Sequence, residues 1–276
     1  MSIITITRGS YSRGKEVAEK LAASLGYDCM SRDILLDASD EFNIPEIKLV
    51  RALHDPATVF DRFQHGRERF ISYLHSSLLQ KATSDNLVYH GLAGQFFLRK
   101  IPHVLKVRII ADMDDRVREE MRREDIPEET ARFILQKDDD ERRKWGLQVY
   151  GMDPWDSRLY DIVLSIGKLT VDHAVEILSD LVQKSEFQTT PESQRLIEDQ
   201  ALTARVVANL AADHPRTRVS AKGDVVFITA AEHAGDPTAE ARIKEIALSV
   251  EGVREVVFDI DPSEAQVGHV NPFHNL

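Results

Sequence analysis

The first apolar pattern along the chain is a β-branched run, SIITIT at residues 2–7. It stops at Arg8-Gly9 and gives way over residues 16–25 to apolar positions at helical spacing, Val17, Leu21, Ala22 and Leu25. The spacing predicts strand, glycine-containing turn, helix. Residues 34–82 read as a helix-rich amphipathic insert, interrupted at Pro45 and Pro56, with Phe60, Phe63, Phe70 and Tyr73 spaced for a packed face. Strands return at 87–90 and 104–111, each followed by a Gly or Asp turn and a helix-like segment, an alternation that predicts a parallel sheet with crossover helices. Residues 114–145 are densely charged and helical in pattern, with Pro127 at a helix first turn ahead of Glu128 and Glu129, acids suited to the dipole there. A last strand at 162–166 leads to Thr170, the expected cap of a helix whose Val171, Ala174, Val175, Leu178, Leu181 and Val182 follow the 3.6-residue period.

Periodicity lapses over residues 184–195, KSEFQTTPESQR, where Ser, Thr, Gln and Pro gather. Beyond that stretch the order changes to a helix at 196–210, a hairpin at 218–230 turning on Lys222-Gly223, a helix at 239–250, and a strand at 253–260 alternating through Val256, Phe258 and Ile260. The pattern predicts two bodies, an α/β body at 1–185 and a small α+β body at 196–276, joined by a linker at 186–195. The first is expected to fold and bind its ligand when the chain is cut after Lys184.

Composition narrows the function classes. The 276 residues suit one or two domains, and 35 Lys plus Arg against 46 Asp plus Glu leave a net charge of −11. Both bodies are acidic, which argues against a nucleic-acid clamp while leaving room for a local basic pocket that takes a phosphorylated small molecule. The single Cys29 rules out an internal disulfide or a multi-cysteine zinc site and is expected to be a small buried hydrophobe, in keeping with a reducing, cytoplasmic setting. No signal peptide or membrane span is read in the sequence. The ten His residues show no pair at metal-ligand spacing, and His269 and His274 fall in an expected frayed tail, so no metal-ligating residue is singled out.

The candidate chemistry begins at GSYSRGKE: Gly9, Ser10, Tyr11, Ser12, Arg13, Gly14, Lys15 and Glu16. Between a strand and a helix this is the context of a phosphate-cradling loop: glycines let backbone N–H groups converge, the helix N-terminus adds positive partial charge, and Lys15 reaches a β or γ phosphate. The Ser or Thr that ordinarily follows such a lysine and ligates magnesium is Glu16 in this chain.

With these residues the first two thirds of the chain resembles the cytidylate-kinase-like proteins of the P-loop kinase class. The carriers are the ITITR run at Ile4 to Arg8, then Gly14, Lys15 and Glu16, the GYDCMSRDIL stretch, Val88 to Gly94, Val107 to Ala111, Arg116 to Ile134, Asp138 to Trp145, and Tyr160-Asp161. The resemblance implies a parallel sheet with flanking helices and a helical lid. It also implies ATP and magnesium as cofactors, and γ-phosphoryl transfer to a small acceptor, most simply a nucleoside monophosphate such as CMP. Lys15 would bridge β and γ oxygens, and Arg142 or Arg143 in KDDDERRKW would close over the transferring group. Arg32 and Asp33, just after a short strand, would meet the acceptor; the alternative, favoured by the residues themselves, is a helix N-terminus with Ser31 or Asp33 as its cap. The family usually carries Gly-Arg after the third-region strand, and this chain has Gly91-Leu92. That departure, with Glu16, keeps a second reading open, a nucleotide sensor without turnover. The tail is similar to the BON module, whose Gly and Val motif falls at Glu251-Gly252-Val253 and Val256; it implies an interaction role with a protein or envelope-associated partner.

Overall fold

A computed structural model describes residues 1–31, 33–42, 66–229 and 236–258. The expected breaks at Pro45 and Pro56, the ring positions Phe60 and Phe63, and the acceptor candidate Arg32 lie outside the described residues, as do Ile260 and the tail histidines. The chain divides into two compact units, residues 1–31 with 84–190, and residues 32–83 with 191–276.

In the first unit the β-branched run forms β1, Ile3–Arg8, and four further strands follow: β2 Asp28–Met30, β3 Leu87–Tyr89, β4 Val104–Ala111 and β5 Ile162–Ile166. All pair in parallel in the order β2-β3-β1-β4-β5, with Ile4 level with Val88 on one side and Leu105 on the other. Such a sheet needs cover on its faces, which explains why β1 is apolar through Ile3, Ile4 and Ile6. Cover comes from α1, Gly14–Leu25, through Val17, Ala18, Leu21 and Ala22, and from the late helix α7, Val171–Val182, through Val171, Ala174, Leu178 and Val182. Thr170 caps α7 as the sequence predicts, in a reciprocal box with His173. α1 stops at Gly26, whose φ of 69° and N–H to the Ala22 carbonyl are a left-handed helix ending that glycine takes without strain.

A short helix, α4, Gly94–Phe97, follows β3, and the charged segment is two helices, the second starting just past Pro127, where the sequence places a helix first turn. α5, Met113–Glu124, ends at Asp125 in the left-handed region, and α6, Glu128–Tyr150, starts after Pro127. Cys29 is exposed, not buried as the sequence suggests, because β2 is the edge strand and its residues are largely uncovered.

The second unit gathers α2, Asp33–Glu41, and α3, Gly66–Ala82, with α8, Pro191–Leu210, the strands β6 Arg218–Lys222, β7 Val225–Thr229 and β8 Glu255–Phe258, and α9, Pro237–Leu248. The hairpin β6-β7 turns at Gly223 as expected, and β8 joins β7 in parallel. A core of Val206, Leu210, Val226, Ile228, Ile243, Ala247, Val250 and Val256 closes it. The stretch expected as a linker is ordered. Pro191 opens a 20-residue helix, because a proline at a helix start surrenders an N–H that has no intrahelical partner there. Upstream, the Thr189 N–H donates to the Met1 carbonyl at 2.9 Å and its hydroxyl to Asp85 at 2.8 Å. α8 lies against α3, with Gln194 Nε2 donating to the Thr83 carbonyl at 3.0 Å. The helical insert and the tail thus belong to one compact unit, a division different from the expected cut at 185.

Candidate functional site: the loop between β1 and α1

The loop opens at the carboxyl end of β1 and closes at Gly14, where a Cβ would stand 2.6 Å from Arg8 Cβ, so only glycine fits beneath the Arg8 side chain. Tyr11 and Arg13 both hold positive φ, 54° and 60°, a conformation costing a non-glycine residue on the order of 1–3 kcal/mol and characteristic of functional turns. Ser12 folds the loop on itself, its hydroxyl donating to the Gly9 carbonyl at 3.0 Å. Arg13 occupies the N-cap of α1 and offers its first N–H groups no side-chain acceptor. A 12-residue helix thereby presents unsatisfied donors and the positive end of its dipole at the loop, the requirement for binding a phosphate.

Lys15 is exposed and stands 3.5 Å from Glu19, an (i, i+4) surface pair too weak to hold it back from a ligand. Glu16 turns outward instead. Its carboxylate takes Arg13 Nε and Nη2 at 3.0 and 2.8 Å and lies 3.5 Å from Lys20, which continues to Asp172 at 2.8 Å. The acidic residue at the position of the usual hydroxyl is thus neutralised along the outer side of α1.

The helices α5 and α6 reach the same loop. Arg116, almost fully buried, donates through Nε to the Ser10 carbonyl at 2.7 Å and through both Nη atoms to Asp139 at 2.7 and 2.9 Å. Asp138 accepts from the Ser10 hydroxyl at 3.0 Å. Arg142 Nη1 donates to the Arg8 carbonyl at 3.2 Å, and burial lowers its guanidinium pKa against the opposing pull of Asp138 and Asp139. Tyr11 packs against Val117, Ala131 and Leu135 beneath Arg123, 5.1 Å from its ring; burial and then a hydrogen bond to Glu120 raise its phenol. Arg143 faces elsewhere, donating to Asp153 at 2.6 Å and lying over the Trp155 ring at 4.7 Å. Of the two adjacent lid arginines, Arg142 alone is seated at the loop. Arg99 lines a groove of about 460 Å³ and reaches the Met152 sulfur. Asp33 opens α2, the helix start anticipated for it.

Sequence reasoning gave no site role to Arg116, Asp138 and Asp139, which lie in charged stretches that read like solvated helix faces. It placed a glycine turn after β3 but not the packing that requires it. There Tyr89 is fully buried, its hydroxyl donates to the Leu92 carbonyl at 2.9 Å, and a Cβ on Gly91 or Gly94 would meet its ring or hydroxyl at 2.7 Å or less. Beside it His90 is buried, its N–H donating to the Met30 carbonyl at 2.9 Å.

A family model described as the cytidylate kinase-like family matches residues 3–168. No curated protein matches the chain. Among solved structures the chain is similar to an uncharacterized protein from Eubacterium ventriosum, 24% identical, with a TM-score of 0.51 over 67% of this chain and 99% of that one. It is also similar, at a TM-score of 0.41 in each case, to shikimate kinase from Bacteroides thetaiotaomicron, 11% identical over 66% of this chain and 99% of that one. The other is shikimate kinase from Acinetobacter baumannii in complex with shikimate, 14% identical over 67% and 95%.

Proposed function

The chain belongs to the cytidylate kinase-like family, and on that premise we propose that it transfers the γ-phosphoryl group of ATP to a small acceptor, most simply a nucleoside monophosphate such as CMP. The observation carrying this reading is the loop itself: an uncapped helix N-terminus beneath strained turn residues, with Arg116 bound to its Ser10 carbonyl and Arg142 to the Arg8 carbonyl just before it. Gly9 to Gly14 would hold the donor phosphates, Lys15 would bridge their β and γ oxygens, and Arg142 would offset charge on the transferring group. Catalysis in this class is positioning and charge stabilisation, so no nucleophilic side chain is required. Magnesium, when bound, neutralises phosphate charge. It is typically held by phosphate oxygens and one or two carboxylates, which fits Asp138 at the loop and not Glu16, already paired with Arg13 and Lys20. Arg32 and Asp33 would meet the acceptor. The tail, similar to a BON module, would bind a protein partner; among the described residues no helix is long and apolar enough to cross a membrane.

Leu92 favours a second reading, a sensor that binds ATP and passes its occupancy on without turnover. Magnesium-dependent ADP release across a panel of nucleoside monophosphates separates the two. Acceptor-stimulated release supports the kinase; tight ATP binding with no stimulated release by any of them supports the sensor. Lys15→Ala should weaken ATP binding by calorimetry with the fold intact, and equal affinity in the mutant would remove the phosphate-loop assignment on which both readings rest.

A further inference from the structure

His90 stands one residue beyond the carboxyl end of β3, and β3 is the immediate neighbour of β1, whose own carboxyl end opens the phosphate loop. Ligands of open parallel sheets sit beyond the carboxyl ends of such strands. The residue is 6% exposed, and its Nδ1 is buried without a hydrogen-bond partner. Buried polar nitrogens are rarely left so, and an orphan beside the strand ends where such ligands sit points to a partner supplied by the ligand. The backbone around it is rigid: the His90 N–H is tied to Met30, and the next turn is wedged on Tyr89.

We propose that His90 is a binding residue for the transferring phosphoryl group, meeting one of its oxygens from the β3 side of the crevice, where Leu92 leaves the family's arginine missing. The proposal rests on the nucleotide-binding reading above. The charged groups that act on His90 are Arg8 from β1 and Lys15 and Glu19 from α1. Burial first, then the Arg8 and Lys15 charges, hold the imidazole pKa below its ordinary value, with Glu19 and the residue's own backbone opposing, which favours the neutral form in the unliganded protein. A phosphoryl group beside Arg8 and Lys15 reverses that local field. The imidazole then takes a proton from solvent and becomes a donor at both nitrogens, so γ-phosphate binding and proton uptake are linked. A group that charges only when the phosphoryl is present supplies a cation without a permanent third positive charge next to Arg8 and Lys15.

The test is calorimetry of the full chain with magnesium-ATPγS and with magnesium-ADP, in buffers of different ionisation enthalpy, at a pH near the ordinary histidine value of about 6.5. Proton uptake is expected with ATPγS and not with ADP. His90→Asn and His90→Gln should abolish the uptake and weaken ATPγS about ten-fold while leaving ADP affinity unchanged, the size expected for a hydrogen bond to a charged group. Uptake that persists in both variants, uptake equal for the two nucleotides, or ATPγS bound by wild type with no uptake each overturns the role of His90 and leaves the kinase-like reading standing. Failure of wild type to bind either nucleotide overturns both. Even if neither variant folds, wild type that binds ATPγS without uptake overturns the role of His90.

Discussion

At the scale of single residues, neighbours of identical chemistry have opposite surroundings. Arg142 is partly buried with Nη1 on the Arg8 carbonyl at the end of β1, whereas Arg143 is half exposed with a surface carboxylate and an indole face as partners. Sequence spacing left the register open by one residue, because KDDDERRKW places both arginines on adjacent helical positions and nothing local says which faces inward. If phosphoryl transfer is the activity, Arg142→Ala should lower kcat by about 100-fold or more, the usual cost of removing one donor to a transition-state oxyanion. Arg143→Ala should change it by less than about ten-fold, since an exposed ion pair contributes roughly 1 kcal/mol or less. Steady-state kinetics on the two variants decide the register, and the reverse order would return the lid role to Arg143. Gly91 tests the turn after β3 independently of activity. A methyl there would collide with Tyr89 Oη, so Gly91→Ala should destabilise by about 1–3 kcal/mol in a denaturant melt, the range for overpacking a filled core. The glycines were plain in the sequence, but their reason was not, because it lies in the packing of a ring and not in a turn type.

At the scale of elements, β1, the loop and α1 were legible because each is specified by its own residues: a β-branched run, two glycines at the right spacing, and an apolar helical stripe. The Thr170 cap was legible for the same reason. What escaped is specified by neighbours. The small residues Ala201, Ala204 and Ala208 of α8 look unremarkable alone, yet they are buried, and α8 lies against α3, whose Ser76, Leu78 and Leu79 are buried too. Pro191 carries both meanings in a sequence, breaker and helix opener, and only the 20 helical residues after it choose the second. Cutting the chain after Lys184 therefore strips α8 from α3 and leaves a buried helix without its cover. In place of the folded remnant expected from the linker composition, the truncated protein should lose its cooperative melt or aggregate, as judged by calorimetry and size exclusion. A sharp unfolding transition at the full-length midpoint would show that α3 does not need α8.

For the whole molecule, the net charge of −11 and the scattered surface pairs say little about stability, and the informative titrating groups are two buried histidines of the first unit. His103 is 1% exposed, with Nε2 3.4 Å from the Asp85 carboxylate that also accepts from Thr189. Two effects compete there. Burial disfavours the imidazolium, with a smaller push from the chain amino terminus, and Asp85 favours it; burial wins, so the folded pKa lies below the ordinary value. His90 shifts the same way, from burial and then the Arg8 charge. For a base whose pKa is lowered on folding, the unfolded chain binds more protons as the pH falls, so the associated stability is fully present above about 6.5 and declines below it, through the lower folded values. The carboxylates lowered by exposed arginine partners, Asp156 to about 2 and Asp153 in the same direction, act in a separate and more acidic window, and their surface position makes their share small. Thermal melts across mildly acidic pH should thus show a midpoint that is flat above about 6.5 and falls below it, before carboxylates begin to protonate. His103→Gln should reduce that slope, since it removes one of the two groups. A midpoint that rises on acidification would mean that the Asp85 attraction outweighs burial and that the pair is an ion pair in the folded protein.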